Sequence, residues 1–410
     1  MRTYPVFRAK RLAFTLVEML VSVSVLALIM LVLVSMTNQI SQTWRSTTGK
    51  IGQFQVARDG FESMTRKISQ ATLNTYLDLY YGDAVKDLKT PIDFYRRSRL
   101  RFISGPMAKL APDATRPTHG IFFQAPLGFV EDSPNLVRSE NLLNSWGYFV
   151  EVSEDDTFRP SFLQGKVPNR WKPRLMEFME PSDKMSVYSS LVTYDSLGKI
   201  TTTPVSKAQQ LDWFAKPLSA PDRPVRVLAE NIVALVVWPR LAKKQEDIRR
   251  DADRSVLAPN YIYDSSLQSF SEKFPFMDPA TGLPATVYLN EGSKSADYSS
   301  SDPQVAGEVN PFNQLPPVVQ VTMVALDDLA AQRFVDRFGK GALTEVTEGL
   351  FTVACQSGTK SNQQTQYEKD LATLEQRLVD KKLTYRVFST NVTIRGAKWS
   401  SFQTRSLDSN

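Results

Sequence analysis

The sequence predicts an α+β protein: a long N-terminal transmembrane and amphipathic helix, followed by a mainly antiparallel β-sheet head with a few helices. Three observations predict it. An uncharged apolar run extends from Met19 to Met36. Beyond it, apolar residues recur every three or four positions as far as Ala71, the period of a helix with one buried face. From Leu100 onward, short apolar or alternating segments stand between Pro, Gly and polar clusters, as strands do.

The bulk composition fits this reading. Of 410 residues, 42% are apolar and 22% charged, ordinary globular usage that excludes global disorder. The net charge of +6 owes four positive charges to Arg2, Arg8, Lys10 and Arg11, within residues 1–13, which hold no acid; downstream, 45 basic residues face 43 acidic ones. No concentrated basic face follows, so no nucleic-acid partner is expected. A single cysteine, Cys355, excludes an intrachain disulfide. The single histidine, His119, excludes a multi-histidine metal site, and its setting in Thr-His-Gly-Ile-Phe-Phe predicts a structural residue at a strand entrance.

Residues 1–13 read as a basic leader and 14–36 as a transmembrane helix. At about 1.5 Å per residue, Phe14 to Met36 spans roughly 34 Å, enough for a hydrocarbon core of about 30 Å. The leader charges favour a cytoplasmic N-terminus, giving a single-pass inner-membrane protein with its head outside that membrane. A secretory signal would end in small residues after the apolar run, which Val34-Ser35-Met36-Thr37-Asn38 does not supply; a plain signal anchor is the competing reading. Glu18 separates the two. An acid in a membrane helix costs up to about 2.5–3.5 kcal/mol at the centre, so such residues are functional candidates with a partner. Lys10 and Arg11 are the nearest cations in sequence.

The segment Ala13-Phe14-Thr15-Leu16-Val17-Glu18 closely resembles the cleavage and methylation signal of type IV prepilins and pseudopilins. The resemblance implies cleavage between Ala13 and Phe14 by a prepilin peptidase and N-methylation of Phe14. It also implies assembly with other pilin or pseudopilin subunits, in which Glu18 meets the N-terminal amine of a neighbour. The family usually carries Gly before the scissile bond, where this chain has Ala13.

Residues 37–75 read as an amphipathic extension of the helix, with Ile40, Trp44, Ile51, Phe54, Ala57, Phe61, Met64, Ile68 and Ala71 on its stripe. Gly49, Gly52 and Gly60 each cost a helix about 1 kcal/mol, and a break is expected around Gly49 to Gly52. The head, 76–410, has strands expected at Leu100–Ser104, Gly120–Gln124, Gly147–Val152, Leu175–Met179, Val225–Trp238 and Val318–Leu326. Helices are expected at Leu329–Phe338 and Gln366–Lys382, and a terminal strand or hairpin within Leu383–Trp399. Residues 240–311 begin with a charged run and continue with weak periodicity, which predicts an inserted, exposed excursion.

Phrases across the head resemble the minor pseudopilins of the J kind in type II secretion systems. Val227-Leu228-Ala229-Glu230-Asn231-Ile232 and Leu315-Pro316-Pro317-Val318-Val319-Gln320-Val321 are two of them. With Tyr385-Arg386-Val387-Phe388 and Ala397-Lys398-Trp399, they look most like the pilin-like Verru_Chthon cassette protein C family.

No Gly-rich phosphate loop, paired-cysteine metal motif or nucleophile elbow is present, and Gly339-Lys340-Gly341 reads as a turn. No catalytic activity, cofactor or metal is expected. Glu154-Asp155-Asp156 reads as a solvated loop, and Asp327 or Asp328 as the cap of the helix from Leu329. The function expected is a non-enzymatic minor pilin or pseudopilin of a type IV pilus-like or type II secretion-like filament. The alternative is a pilin-anchored surface adhesin or ligand-binding protein that uses the 240–311 excursion.

Overall fold

Thr15 opens the first helix, and the chain stays helical for 53 residues as α1, Leu16–Ile68. The computed structural model describes residues 15–80, 93–133, 141–189, 193–194, 200–201, 207–251, 257–265, 314–339, 341–355 and 359–397. The chain divides into two compact units after Gln53. In the first unit, Leu16–Trp44 is a 29-residue apolar stretch in which no residue is buried. At about 1.5 Å per residue it is roughly 44 Å long, more than a hydrocarbon core requires. The expected break at Gly49 to Gly52 is not found, since α1 passes through both. Helix propagation is cooperative, so about 1 kcal/mol per glycine does not open a ladder flanked by formed turns.

The second unit begins with the last turns of α1, which end at Ile68 rather than near residue 75. Tight bonds from Gln70 N–H to Lys67 O and from Ala71 N–H to Ile68 O close the helix, and Thr72 N–H then donates to Gln124 O. The remaining elements follow in order. They are β1 (Tyr76–Tyr80), β2 (Asp93–Arg97), β3 (Ile103–Pro106), α2 (Met107–Leu110), β4 (His119–Pro126), β5 (Leu143–Glu154), β6 (Trp171–Glu180) and α3 (Ser186–Ser189). Next come β7 (Thr193–Tyr194), β8 (Ile200–Thr201), α4 (Lys207–Ser219), β9 (Val225–Glu230), β10 (Ile232–Arg240), α5 (Lys243–Asp251) and β11 (Tyr263–Asp264). The chain closes with β12 (Val318–Leu326), α6 (Asp328–Phe338), α7 (Gly341–Glu345), α8 (Gln366–Asp380) and β13 (Tyr385–Thr393).

A six-stranded sheet has the order β11-β3-β4-β5-β6-β9 and a three-stranded sheet the order β10-β12-β13. Their pairings are all antiparallel. The expected strand Val225–Trp238 is two strands in two sheets. Asn231, at φ 61°, turns the chain between them, and asparagine tolerates this left-handed region better than most residues.

Strand alternation then sorts the core into layers. Ile121, Phe123, Trp146, Tyr148 and Leu175 of the large sheet meet Leu235, Val237, Val321 and Met323 of the small one in a shared core. Ala57, Phe61, Met64 and Ile68 of α1 enter the same core, spaced by three or four residues as the sequence stripe predicts. The opposite face of the small sheet, with Val236, Trp238, Val324 and Leu326, packs against Phe334, Leu343, Leu374 and Leu378 of α6, α7 and α8. The far face of the large sheet, with Phe122, Phe149, Met176 and Phe178, packs on Trp213, Phe214 and Leu218 of α4.

Two expectations need correction. Residues 207–219 form a helix the sequence reading passed over, because Pro217 interrupts the helical pattern near its end. The 240–311 stretch is not wholly an exposed excursion, since Leu257, Ala258, Tyr261 and Tyr263 are buried and β11 adds to the large sheet beside β3. Residues 266–313 lie outside the described residues. Of the terminal strand or hairpin expected within Leu383–Trp399, the strand is found: β13 pairs with β12.

Candidate functional site

At the N-terminal end of α1, Thr15 and Glu18 form a reciprocal cap. Thr15 N–H and Thr15 Oγ1–H each donate to Glu18 Oε2 at 2.9 Å, and Glu18 N–H donates to Thr15 Oγ1 at 3.3 Å. A threonine followed three residues later by glutamate satisfies two of the orphan donors at a helix start, where the helix dipole also favours negative charge. The Glu18 carboxylate is thereby turned back toward the chain entering the helix. Ala13 and Phe14, the expected cleavage and methylation positions, lie outside the described residues.

Around and beyond Glu18 the helix is apolar on every side. Leu16, Val17, Leu20, Val23, Leu26 and Leu31 are all more than half exposed. A helix hydrophobic all round belongs in an apolar surrounding, since a water-facing helix keeps a polar face. Its few hydroxyls fold back on the helix itself: Ser22 Oγ donates to Glu18 O, Ser24 Oγ to Val21 O and Thr37 Oγ1 to Leu33 O. Such back-bonding leaves the helix little free polar surface.

In the head, the C-terminal end of α1 is pinned by a buried carboxylate that sequence reasoning missed. Glu177 on β6 has a fully buried side chain. Lys67 Nζ of α1 donates to its Oε1 at 2.5 Å, Tyr148 OH donates to the same oxygen at 2.7 Å, and Arg226 of β9 pairs with Oε2. Lys67 Nζ also stands 3.8 Å above the Trp146 ring, a cation–π arrangement. Burial pulls the Lys67 pKa down against the opposing pull of Glu177, and burial pushes the Tyr148 hydroxyl well up. Glu177 shares strand parity with Leu175 and Met179, so an acid in phase with core residues was the available signal. Beside this anchor, a Cβ on Gly60 would touch Ala229 Cβ at 3.4 Å, so the glycine lets α1 lie close to β9.

Other residues singled out in the sequence prove structural. His119 begins β4 as expected and is buried. Its Nε2–H donates to Phe351 O at 2.9 Å, and its Nδ1 faces both Val237 N–H at 3.2 Å and Val237 O at 3.3 Å; burial lowers its pKa to about 4, so the ring is neutral near pH 7 with Nδ1 as the acceptor. Asp155 pairs with Arg159 at 2.6 Å, and Glu154 accepts from Asn169, so the acidic loop is braced from within. Asp327 caps α6 by accepting from Ala330 N–H, and Gly339 ends that helix at φ 82°. Cys355 is buried, and burial pushes its thiol pKa up. Among the described residues no group of three or more His, Cys, Asp or Glu side chains is placed to hold a metal.

No protein-family model, curated protein or solved structure matches the chain.

Proposed function

We propose that this chain is a non-enzymatic minor pilin or pseudopilin subunit, processed before Phe14 and assembled through its N-terminal helix into a type IV pilus-like or type II secretion-like filament. The observation that carries the reading is the pairing of an all-round apolar helix, none of whose residues is buried over Leu16–Trp44, with a single carboxylate at its start. A signal anchor has no use for that acid. In the proposed function, a prepilin peptidase cuts the Ala13–Phe14 bond, and the new amine of Phe14 is methylated while remaining cationic.

The role of Glu18 follows from electrostatics. Oε2 is already held by Thr15, so the carboxylate is oriented before any subunit arrives. In the low dielectric between packed helices, an amine from a neighbouring Phe14 gains far more from this charge than it would in water. An incorrect register would leave both ions buried and unpaired, at a cost of several kcal/mol. The basic leader and the apolar run give a single pass through the inner membrane with the head outside, and Trp44, 73% exposed, suits the lipid–water boundary.

Mass spectrometry of protein extracted from membranes of cells with an active prepilin peptidase tests the proposal. A mature N-terminus at N-methylated Phe14 is expected; an intact chain starting at Met1 overturns it.

A further inference from the structure

The two main sheets of the head end in four edge strands, β11, β9, β10 and β13. Three of them carry the devices by which proteins keep an edge from pairing further. β11 is two residues long. β9 bulges at Leu228, since Leu175 pairs with Ala229 and Met176 with Val227, and α1 lies against it at Gly60. On β10, successive outward positions are sealed. Leu235 N–H donates to Thr118 Oγ1 at 3.2 Å, Val237 N–H donates to His119 Nδ1 at 3.2 Å, and Pro239 has no N–H.

β13 has none of these. Its nine residues pair with β12 without a bulge, and they include no Pro and one charge, Arg386. The register fixes which of its backbone groups are already bonded. Leu235 and Val237 turn their N–H groups away from β12, so their partners Met323 and Val321 turn theirs toward β13, where they oppose Phe388 and Thr390. The even-numbered residues of β13 are therefore bonded to β12, while Tyr385, Val387, Ser389, Asn391 and Thr393 present N–H and C=O outward. The flanking bonds keep this phase: Ile394 N–H turns inward to Pro317 O, and Arg395 N–H outward to Ser69 O just past α1. Among the described residues no backbone bond reaches the outer side of Tyr385–Thr393, and Ser389, Asn391 and Thr393 are exposed.

Such an edge binds backbone, and its side chains select the segment. Arg386 and Phe388 share one face of β13, with the guanidinium 6.0 Å from the ring centroid. Arg386 is exposed and makes no ion pair among the described residues, and Phe388 is half-buried beside the Phe61 ring of α1. A strand added antiparallel, as are all the pairs in these sheets, would set one side chain opposite Phe388 and, two positions later, one opposite Arg386. The first place favours an apolar side chain and the second an acid. A second copy of β13 has no acid to bring. We infer that the outer edge of β13 takes up an extended segment of a partner protein, antiparallel, in which an apolar residue is followed two positions later by Asp or Glu. The inference is independent of processing and of filament assembly.

Fluorescence anisotropy with the full chain in detergent tests it. The probe is a labelled peptide, Thr-Val-Thr-Val-Thr-Glu-Thr-Val-Thr, whose threonines would meet the outward residues of β13. One control carries N-methyl groups on the threonine amides, which then cannot donate, and another has Lys for Glu. The probe is expected to bind, with its dissociation constant raised at least tenfold by N-methylation and by Asn391→Pro, which removes an outward N–H and leaves the bonds to β12. Arg386→Glu should reverse the preference in favour of the Lys peptide, and this exposed substitution keeps the test should Asn391→Pro fail to fold. No binding of the probe, equal binding of the N-methylated peptide, or an unchanged charge preference in Arg386→Glu overturns the inference. So does slow hydrogen exchange at the amides of Val387, Ser389 and Asn391 in the chain without peptide, which would mean that the edge is already paired.

Discussion

Lowering the pH from 7 to 4 should destabilise the head through one residue, His119. In the fold its ring is neutral, with Nδ1 accepting from Val237 N–H and Nε2–H donating to Phe351 O, and with the Tyr261 ring 4.6 Å away. Protonating the ring would place a charge in the core, and this burial outweighs the Phe351 and Val237 carbonyls that favour the charged form, which is why the pKa falls from 6.5 to about 4. The unfolded chain therefore binds this proton first. The stabilisation is complete above pH 6.5, shrinks as the pH falls, and is lost once the pH passes about 4. A shift of about 2.5 pH units at 1.36 kcal/mol each amounts to about 3 kcal/mol. Because the chain has one histidine, histidine-selective isotope labelling gives one imidazole signal to follow in the full chain. That signal should stay neutral down to about pH 5. Denaturant unfolding at both pH values should show the parent losing about 3 kcal/mol more than His119→Gln, whose amide donates and accepts without titrating. An imidazole titrating near pH 6.5 in the folded protein, or equal acid losses in parent and variant, would refute the reasoning.

Three further outcomes follow from the same contacts. Glu18→Leu should leave membrane insertion intact, or improve it, and should abolish co-purification with other subunits of the filament; unchanged co-purification counts against the proposed amine contact. Glu177→Ala removes the acceptor shared by Lys67, Tyr148 and Arg226 and should cost about 3 kcal/mol, the lower end for a broken buried pair because Arg226 is 59% exposed and keeps solvent. Denaturation midpoints would show this, and an unaltered midpoint would mean that the carboxylate does not pin α1. Gly147→Ala would place a Cβ 2.2 Å from Phe122 Cδ1, on a ring already stacked 4.1 Å from Phe214, and should cost about 1–3 kcal/mol by overpacking in a thermal or denaturant melt.

The parts of the fold legible in the sequence were those set by local periodicity. The stripe Ala57, Phe61, Met64 and Ile68 is buried as its spacing required, and β12 and α8 fall within a few residues of where their patterns place them. Nonlocal features were not legible. The pairing of Tyr263 with Ser104 forms a strand only because distant chain arrives there. Asn231 divides a continuous apolar run by a single positive φ that periodicity does not register. For α4 the period was present in Leu211, Phe214 and Leu218, but Pro217 argues against a helix in any local reading. At the N-terminus the motif named Glu18, yet its bonds to Thr15 come from cap chemistry that the sequence also contains, as Thr followed three positions later by Glu.

Buried carboxylates in the head draw their counter-ions from the chain itself at two positions. Glu177 is buried against Lys67 and Arg226, and Glu151 is buried against Arg116 and a two-toothed Arg223, whose pKa the contact raises. These two acids are met by cations from elsewhere in the same chain, whereas the buried Glu180 and Asp370 are held by neutral donors. Glu18 differs from Glu177 and Glu151: among the described residues, both donors to its Oε2 come from Thr15, and they are neutral. Neutral donors orient a carboxylate and lower the cost of its burial, but they do not cancel its charge. If α1 is taken into a membrane, and then among other helices, the charge left on Glu18 is an asset only to a cation arriving at the same depth. Under the proposed processing, the amine of Phe14 on a neighbouring subunit is created at the matching position along an identical or similar helix. The same charge therefore penalises a subunit alone in the bilayer and rewards one seated in register, a difference that a simple anchor would have no means of using.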